Sequence, residues 1–149
     1  MTMKNTTRAE LAANIKKHRW LVFNILAGSE TELPFSYTVG LFETFGHPEV
    51  VISGLGNDVA LAILNDIGND VATGLQREPE VLYDDVLEGY PCVFKPVPST
   101  AYKDYFGRAL AFYDGTDFPV LQCVWPDALK RFPSDFGYTG STQETLFEQ

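Results

Sequence analysis

His47 is the residue of this sequence best suited to acid–base chemistry. It stands in the motif Gly46-His47-Pro48-Glu49, between two apolar runs. An imidazole titrates near neutral pH, so His47 could serve as an acid or base or as a ligand donor. The alternative is a corner histidine whose ring binds a backbone carbonyl and holds the loop. Because the chain has only two histidines and no paired cysteine motif, we expect no metal site.

Polar side chains near this histidine form a second candidate, a site for a small ligand. They are Ser36, Thr38, Ser53 and Asn57. With backbone N–H groups at a helix start, they could bind the phosphate of FMN or FAD. The alternative is that the hydroxyls face a helix and the asparagine is an ordinary N-cap. The sequence has no lysine or arginine between Arg19 and Arg77, so Lys95 or Arg108 would have to approach a phosphate from elsewhere.

The common catalytic signatures are missing from the sequence. It has no nucleophile elbow, and no serine or cysteine stands beside a plausible histidine partner. The run Gly54-Leu55-Gly56 lacks the third glycine and the βαβ context of a dinucleotide fingerprint, so it indicates a turn. Spatial partners remain open, since triad residues need not be adjacent in sequence. We therefore assign no catalytic residue.

An acidic stretch around a short predicted strand is the third candidate. Its carboxylates are Glu78, Glu80, Asp84, Asp85 and Glu88. One interpretation is a solvated loop, and the other is a docking surface for a basic protein partner. Trp125 and Tyr138 would add aromatic anchors to such a surface, although aromatic rings also complete protein cores.

Hydrophobic periodicity predicts the elements that must position these residues. Strands are expected over residues 20–27, 35–41, 49–55, 90–97 and 118–125, with a further short strand at 81–83. Helices are expected over residues 7–18, 58–73 and 100–113, and residues 42–48 are expected to form a loop.

Two predicted helices and one strand carry clear local signals. The first helix opens with the capping-box pair Thr7 and Glu10. The second has Asn57 as its N-cap and Gly74 as its stop. Its apolar stripe is Ala60, Ile63, Leu64, Ile67 and Val71. In the strand over 35–41, alternation predicts one face with Phe35, Tyr37, Val39 and Leu41, and the other with Ser36, Thr38 and Gly40.

The order of these elements predicts an α+β fold in a single domain over residues 1–149. Three consecutive strands with short connections favour antiparallel pairing over a doubly wound sheet. We expect a mainly antiparallel sheet or a split-barrel-like β core, with about five strands and three helices. Residues 1–17 are expected to carry an N-terminal helix, and residues 128–149 an irregular tail.

The charge and composition of the chain restrict its partners and location. A net charge of −9 over 149 residues repels phosphate backbones, which disfavours nucleic-acid binding. The basic cluster at 16–19 ends a predicted helix, where it complements the helix dipole. No signal-peptide core or transmembrane run is present, so we expect a cytoplasmic protein without membrane contact. Cys92 and Cys123 lie in apolar runs. We expect buried free thiols, and the alternative is a disulfide between neighbouring strands.

Several short motifs follow one another along the chain. They are HRW at 18–20, FSYTVGL at 35–41, GHPE at 46–49, EGYP at 88–91, YFG at 105–107, FPVLQ at 118–122 and VWPD at 124–127. In this order they resemble the bacterial domain-of-unknown-function family 4262 over residues 18–138. Segment 131–137 departs from the family pattern, which has a second aromatic residue and a proline near Ser134 and Phe136. The resemblance implies no established activity.

Residues 20–70 also resemble the flavin-binding split barrel in the order of their elements. An early strand, a strand of small residues, an apolar strand and a helix follow one another. In that fold these elements build much of the flavin pocket. A likeness of fold alone assigns no function.

Two functions follow from the sequence, and we favour the first. It is a non-enzymatic protein-binding domain without a cofactor, such as an immunity protein whose acidic stretch neutralises a basic toxin domain. The second is a protein, such as a reductase, that holds FMN or FAD on the face of Ser36, Thr38 and Ser53, with His47 at its rim. A split barrel would favour a homodimer with the ligand at its interface.

Overall fold

The computed structural model describes residues 7–26, 33–139 and 143–148. Its helices and strands, in chain order, are α1 (Arg8–His18), β1 (Leu21–Ile25), β2 (Phe35–Val39), α2 (Leu41–Phe45), β3 (Glu49–Ser53), α3 (Asn57–Ala72), β4 (Leu82–Leu87), β5 (Tyr90–Pro96), α4 (Tyr102–Tyr105), α5 (Gly107–Tyr113) and β6 (Val120–Val124). Two 3₁₀ turns, Ser99–Ala101 and Leu146–Glu148, complete the described elements.

All six described strands join one mixed sheet in the order β1-β2-β3-β6-β5-β4. The β3–β6 pair is parallel, and the other four neighbouring pairs are antiparallel. The edges of the sheet are therefore β1 and β4. The helix α3 packs on one face, whereas α1, α4 and α5 pack on the other. The predicted α+β class and mainly antiparallel sheet are confirmed, with six strands and five α-helices in the described residues.

The strongest local signals of the sequence are confirmed. Thr7 and Glu10 form the predicted capping box at the start of α1. The apolar stripe of α3 is buried along its whole length against β3, β5 and β6. Trp20, which precedes β1, packs against the same helix, and its indole N–H donates to Asn65 Oδ1 at 3.0 Å. The side chain of Trp20 thus fixes the position of α3 relative to the first strand.

Residues 41–45 form a helix, so the prediction of a loop over 42–48 is wrong in its first part. The chain turns out of β2 at Gly40, whose φ of 123° is a conformation that favours glycine. This turn moves Leu41 into the core on the α3 side, while Phe35, Tyr37 and Val39 pack on the opposite face. The predicted common face is therefore wrong at Leu41.

Other element boundaries also differ from the prediction. The helix expected over 100–113 is a 3₁₀ turn followed by α4 and α5, which are separated at Phe106, where the ring is buried against Tyr37 and Tyr102. Gly56 is the N-cap of α3, so the assignment of Asn57 to that position is wrong. The short strand expected at 81–83 is the longer β4, because it forms a hairpin with β5.

Parts of the predicted terminal segments lie outside the described residues. These are residues 1–6 of the N-terminal segment, the predicted end of the first strand at residue 27, and residues 140–142 and 149 of the tail. The described part of the tail is irregular apart from its 3₁₀ turn. None of the described helices combines the length and the apolar character that a membrane span requires.

We predict that Gly68→Ala destabilises the protein, although alanine normally stabilises a helix interior by about 1 kcal/mol relative to glycine. An added Cβ at Gly68 would lie 2.5 Å from the ring of Trp20, so the indole or α3 must move. Urea denaturation should show that the free energy of unfolding falls by about 1–3 kcal/mol. The matched control is Gly107→Ala at the start of α5, where the added Cβ meets open space. Equal stability of the two variants would contradict the packing of Trp20 on α3.

Candidate functional site

The buried carboxylate of Glu49 is the polar centre of one end of the sheet. It stands at the start of β3 and is 1% exposed. Its hydrogen-bond donors are the Thr38 hydroxyl (2.7 Å), the backbone N–H groups of Gly40 (2.8 Å), Leu41 (3.2 Å) and Phe42 (3.2 Å), and the Tyr113 hydroxyl. The helix α2 has no capping side chain of its own. The carboxylate of Glu49, on β3, is therefore the hydrogen-bond acceptor for the free backbone N–H groups in the first turn of α2.

The two hydroxyl groups beside Glu49 also accept hydrogen bonds. Thr38 Oγ1 accepts the N–H of Val50 at 2.9 Å, and the Tyr113 hydroxyl accepts the N–H of Glu43 at 3.1 Å. Burial and the adjacent carboxylate raise the pKa of Tyr113, so its phenol remains a donor. Burial also raises the pKa of Glu49, against the opposing effect of its hydrogen bonds. The hydrogen bonds of Thr38, Glu49 and Tyr113 thus connect β2, α2, β3 and α5.

A cleft of about 610 Å³ lies beside Tyr113, between α1, α2 and α5. The residues that line it are Arg8, Ala12, Ile15, Lys16, Arg19, Glu43, Thr44, Phe112 and Tyr113. Three of these side chains are basic and one is acidic. The cleft thus carries a net positive charge, and one of its lining residues, Tyr113, is hydrogen-bonded to Glu49.

His47 takes the corner position that one interpretation of the sequence predicted. Its side chain is 1% exposed, with Nδ1 2.8 Å from the carbonyl oxygen of Pro48. Its Nε2 accepts the backbone N–H of Arg77 at 2.9 Å. Because an N–H group donates to Nε2, the proton of the neutral ring belongs on Nδ1. Burial lowers the pKa of His47, which also favours the neutral ring.

The guanidinium of Arg77 continues this network from the loop to α3 and β4. It is 3% exposed and donates to Asp85 and to Asp70, each at 2.9 Å. It also lies over the ring of Tyr83, 4.7 Å from the centroid. The hydrogen bond from Arg77 lowers the pKa of Asp85. One of the predicted partner-binding carboxylates is therefore already engaged within the fold.

The predicted ligand-binding hydroxyls are engaged in contacts within the protein. The Ser36 hydroxyl donates to Asn24 Oδ1 at 2.5 Å, and Ser53 Oγ accepts the N–H of Glu144 at 2.9 Å. The Thr38 hydroxyl donates to the carboxylate described above.

These side chains also do not share one face of the sheet. The register pairs Ser36 with Ile52 and Phe35 with Ser53. Directly paired residues point to the same side and successive residues to opposite sides, so Ser36 and Ser53 lie on opposite faces. Asn57 belongs to the first turn of α3, beyond the end of β3. The structure thus does not gather the predicted ligand set around one pocket.

The predicted acidic stretch lies on the outer strand β4 and its flanks, and we call it the acidic edge. It comprises Glu78, Glu80, Asp84, Asp85 and Glu88, all of them exposed. Glu80 forms an ion pair with Lys95 at 2.7 Å. In the part of the chain that the structure describes, neither Asp84 nor Glu88 forms an ion pair. Leu82 and Tyr90, which are 62% and 40% exposed, lie on the same hairpin.

Trp125 and Tyr138, the predicted aromatic anchors, are brought together by Gln143. The Gln143 side chain accepts the backbone N–H of Trp125 at 3.0 Å and donates to the Tyr138 hydroxyl at 2.9 Å. The indole N–H of Trp125 donates to the carbonyl oxygen of Ser53 at 2.8 Å. Both rings are half-buried, so each contributes to the packing of the tail and keeps part of its surface accessible.

Three residues that organise buried hydrogen bonds were not among the candidates predicted from the sequence. Glu49 could have been found from its place at the head of an otherwise apolar strand, since a buried carboxylate requires donors. No sequence pattern around Arg77, which lies between α3 and β4, indicates that its side chain is buried. Asp127, which follows β6, is buried and accepts hydrogen bonds from the backbones of Arg131 and Thr139. Burial opposes ionisation of Asp127, but these hydrogen bonds outweigh it and lower the pKa.

The described residues contain no group of three or more side chains suited to hold a metal ion. Cys92 and Cys123 are free, fully buried and located on the neighbouring strands β5 and β6. The hydrogen bond with Cys92 and burial raise the pKa of Cys123, so Cys123 remains a thiol in a closed core.

Comparison with known proteins identifies a family for this chain. A family model described as Domain of unknown function (DUF4262) matches residues 14–139. No curated protein and no solved structure matches the chain.

We predict that His47 remains neutral, with its proton on Nδ1, at neutral pH. Long-range ¹H–¹⁵N spectra should show this tautomer, with the exposed His18 as a reference signal. Since burial lowers the pKa of His47, the unfolded chain takes up this proton first as the pH falls. The wild type should therefore lose more stability than His47→Gln between about pH 7.5 and about pH 5.5. A protonated His47 at neutral pH, or identical losses, would contradict its assigned contacts.

We predict that Glu49→Gln lowers the free energy of unfolding by about 2–4 kcal/mol, because an amide places donors against donors. Urea denaturation at neutral pH measures this change. The control is Glu43→Gln in α2, an exposed side chain expected to change stability by less than about 0.5 kcal/mol. If both variants unfold like the wild type, the hydrogen bonds to Glu49 contribute little to the fold.

Proposed function

The chain belongs to the DUF4262 family, and we propose that it is a protein-binding domain whose acidic edge docks a basic protein partner. The observation that carries the proposal is the composition of the outer strand β4. Carboxylates without a basic partner among the described residues stand there beside exposed apolar side chains. Such a mixture is typical of a protein interface, where apolar contacts supply affinity and charges select the partner.

The charges of the acidic edge favour a partner with exposed lysine and arginine. Asp84 and Glu88 are exposed, so both carboxylates are accessible to basic side chains. The net charge of −9 steers a basic protein toward the domain over a longer range. Asp85 also contributes negative charge at this edge, although Arg77 holds its carboxylate.

Leu82 and Tyr90 supply the apolar part of the surface. Leu82 also lines a second cleft, of about 290 Å³, which lies between the β4–β5 hairpin and the described tail. An apolar side chain of the partner would fill this cleft while its basic groups meet Asp84 and Glu88. Trp125 stands at the end of β6, next to the start of β5, and together with Tyr138 would extend the contact beyond the hairpin.

Recognition at β4 should rely on side chains rather than on the addition of a strand. The pairing of β4 with β5 is irregular between Tyr83 and Leu87. Such a bulge twists an edge strand, and charges along it oppose pairing with another chain. The partner therefore binds as a folded basic surface, as the positive cleft of a toxin domain would. Occlusion of that cleft would neutralise the toxin without a chemical step.

The partner can be sought by gentle purification of the protein from its native cells and native mass spectrometry. We expect a stoichiometric protein complex whose partner carries an excess of lysine and arginine. The double variant Asp84→Lys/Glu88→Lys should weaken this complex by at least about tenfold, because attractive contacts become repulsive. Isothermal titration calorimetry with the purified partner measures the affinity.

The matched control is Asp66→Lys/Asp117→Lys, which makes the same change in net charge at exposed positions outside the acidic edge, on α3 and before β6. It should alter the affinity by less than about threefold, since only long-range attraction changes. An acidic partner, or equal losses in the two double variants, would overturn the assignment of the acidic edge.

A further inference from the structure

The cleft between α1, α2 and α5 has a charge opposite to that of the whole protein. Arg8, Lys16 and Arg19 line it, whereas Glu43 is the single acidic residue among the lining side chains. The chain has only 11 lysines and arginines against 20 acidic residues, so three basic groups around one concavity are a local reversal of its charge. Concave surfaces of one charge attract ligands of the opposite charge.

Two of the three basic side chains are held in place before any ligand arrives. Arg8 Nε donates to the carbonyl oxygen of Phe112 at 2.8 Å. The Arg19 guanidinium lies over the rings of Trp20 and Phe45, at 5.6 and 5.8 Å from their centroids. Both guanidinium groups keep further N–H donors for an anion. Positioning before binding reduces the entropy that a ligand must offset.

The lining of the cleft combines apolar and basic side chains, which suits a ligand that is only partly polar. Ala12, which is exposed, and the half-buried Tyr113 provide accessible apolar surface beside the basic side chains, whereas Ile15 and Phe112 are almost fully buried. The hydroxyl of Tyr113, which lines the cleft, is already bonded to Glu49 and to the N–H of Glu43. The proton of this hydroxyl is therefore engaged within the protein, and the half-buried ring of Tyr113 offers apolar contact to a ligand. A volume of about 610 Å³ falls in the range of small-molecule sites.

We propose that this cleft binds a small organic anion, in which a phosphate or carboxylate is joined to an apolar or aromatic body. The anionic group binds Arg8, Lys16 and Arg19, and the body packs on Ala12 and Tyr113. The site is separate from the acidic edge: the cleft lies among α1, α2 and α5, and the acidic edge lies on β4.

NMR titration of the ¹⁵N-labelled full chain tests this proposal with two probes. FMN carries a phosphate on an aromatic body, and indole-3-acetate carries a carboxylate on one. At least one probe should shift the amide signals of Ile15, Thr44 and Tyr113 with a Kd below about 5 mM. Shifts with FMN alone assign the site to phosphates, shifts with indole-3-acetate alone assign it to carboxylates, and shifts with both assign it to organic anions in general.

A matched pair of variants separates the cleft from general surface charge. Lys16→Glu reverses a charge on the cleft, whereas Lys17→Glu makes the same change in the same turn of α1 at a residue outside the lining. Lys16→Glu should weaken binding by at least about tenfold, and Lys17→Glu by less than about threefold. The proposal is overturned if neither probe shifts the cleft signals, or if the two variants weaken binding equally.

Discussion

The burial of one carboxylate determines how this end of the protein is built. Glu49 has no basic partner among the described residues, so backbone N–H groups and two hydroxyls must balance its charge. Removal of a carboxylate from water costs several kcal/mol, and this cost is offset only if the donors converge. The turn at Gly40, the first turn of α2 and Tyr113 supply most of these donors. The cleft rests on the same network, because Tyr113 belongs both to its lining and to the shell of Glu49.

The contrast between α3 and α2 shows what the sequence could predict. The stripe of α3 is a local pattern that needs only a core to pack against, and the structure has it as predicted. The five residues of α2 are too few for such a pattern, and their acceptor comes from Glu49, which follows the helix in sequence. Phe106 interrupts the expected long helix for a similar reason, since contacts of its ring with distant residues decide the local backbone. Local signals predicted the elements that depend on local order, and tertiary contacts determined the others.

The same distinction applies to the candidate sites. The acidic edge is a property of sequence composition, so its exposure could be foreseen, whereas its place on an outer strand comes from the hairpin of β4 with β5. The hydroxyl set of Ser36 and Ser53 depended on two strands pairing in one particular register, and a register that differs by one residue reverses the faces. The basic cleft could not be foreseen, because Lys16 and Arg19 resemble an ordinary helix terminus until α2 and α5 close around them.

The family motifs therefore specify the scaffold more than they specify a ligand. In the motif GHPE at 46–49, His47 is hydrogen-bonded to the backbone of Pro48 and of Arg77. Glu49 of the same motif accepts the backbone N–H groups at the start of α2. In FSYTVGL at 35–41, Thr38 and Gly40 are donors to the same carboxylate. A side chain that is fully engaged in the core is not accessible to a partner. The acidic edge and the basic cleft consist instead of exposed charges on the scaffold, and Glu88 is the one carboxylate of the edge that stands within a motif. Two surfaces of opposite charge, the acidic edge on β4 and the basic cleft among α1, α2 and α5, would let a small domain engage a basic protein and an organic anion at the same time.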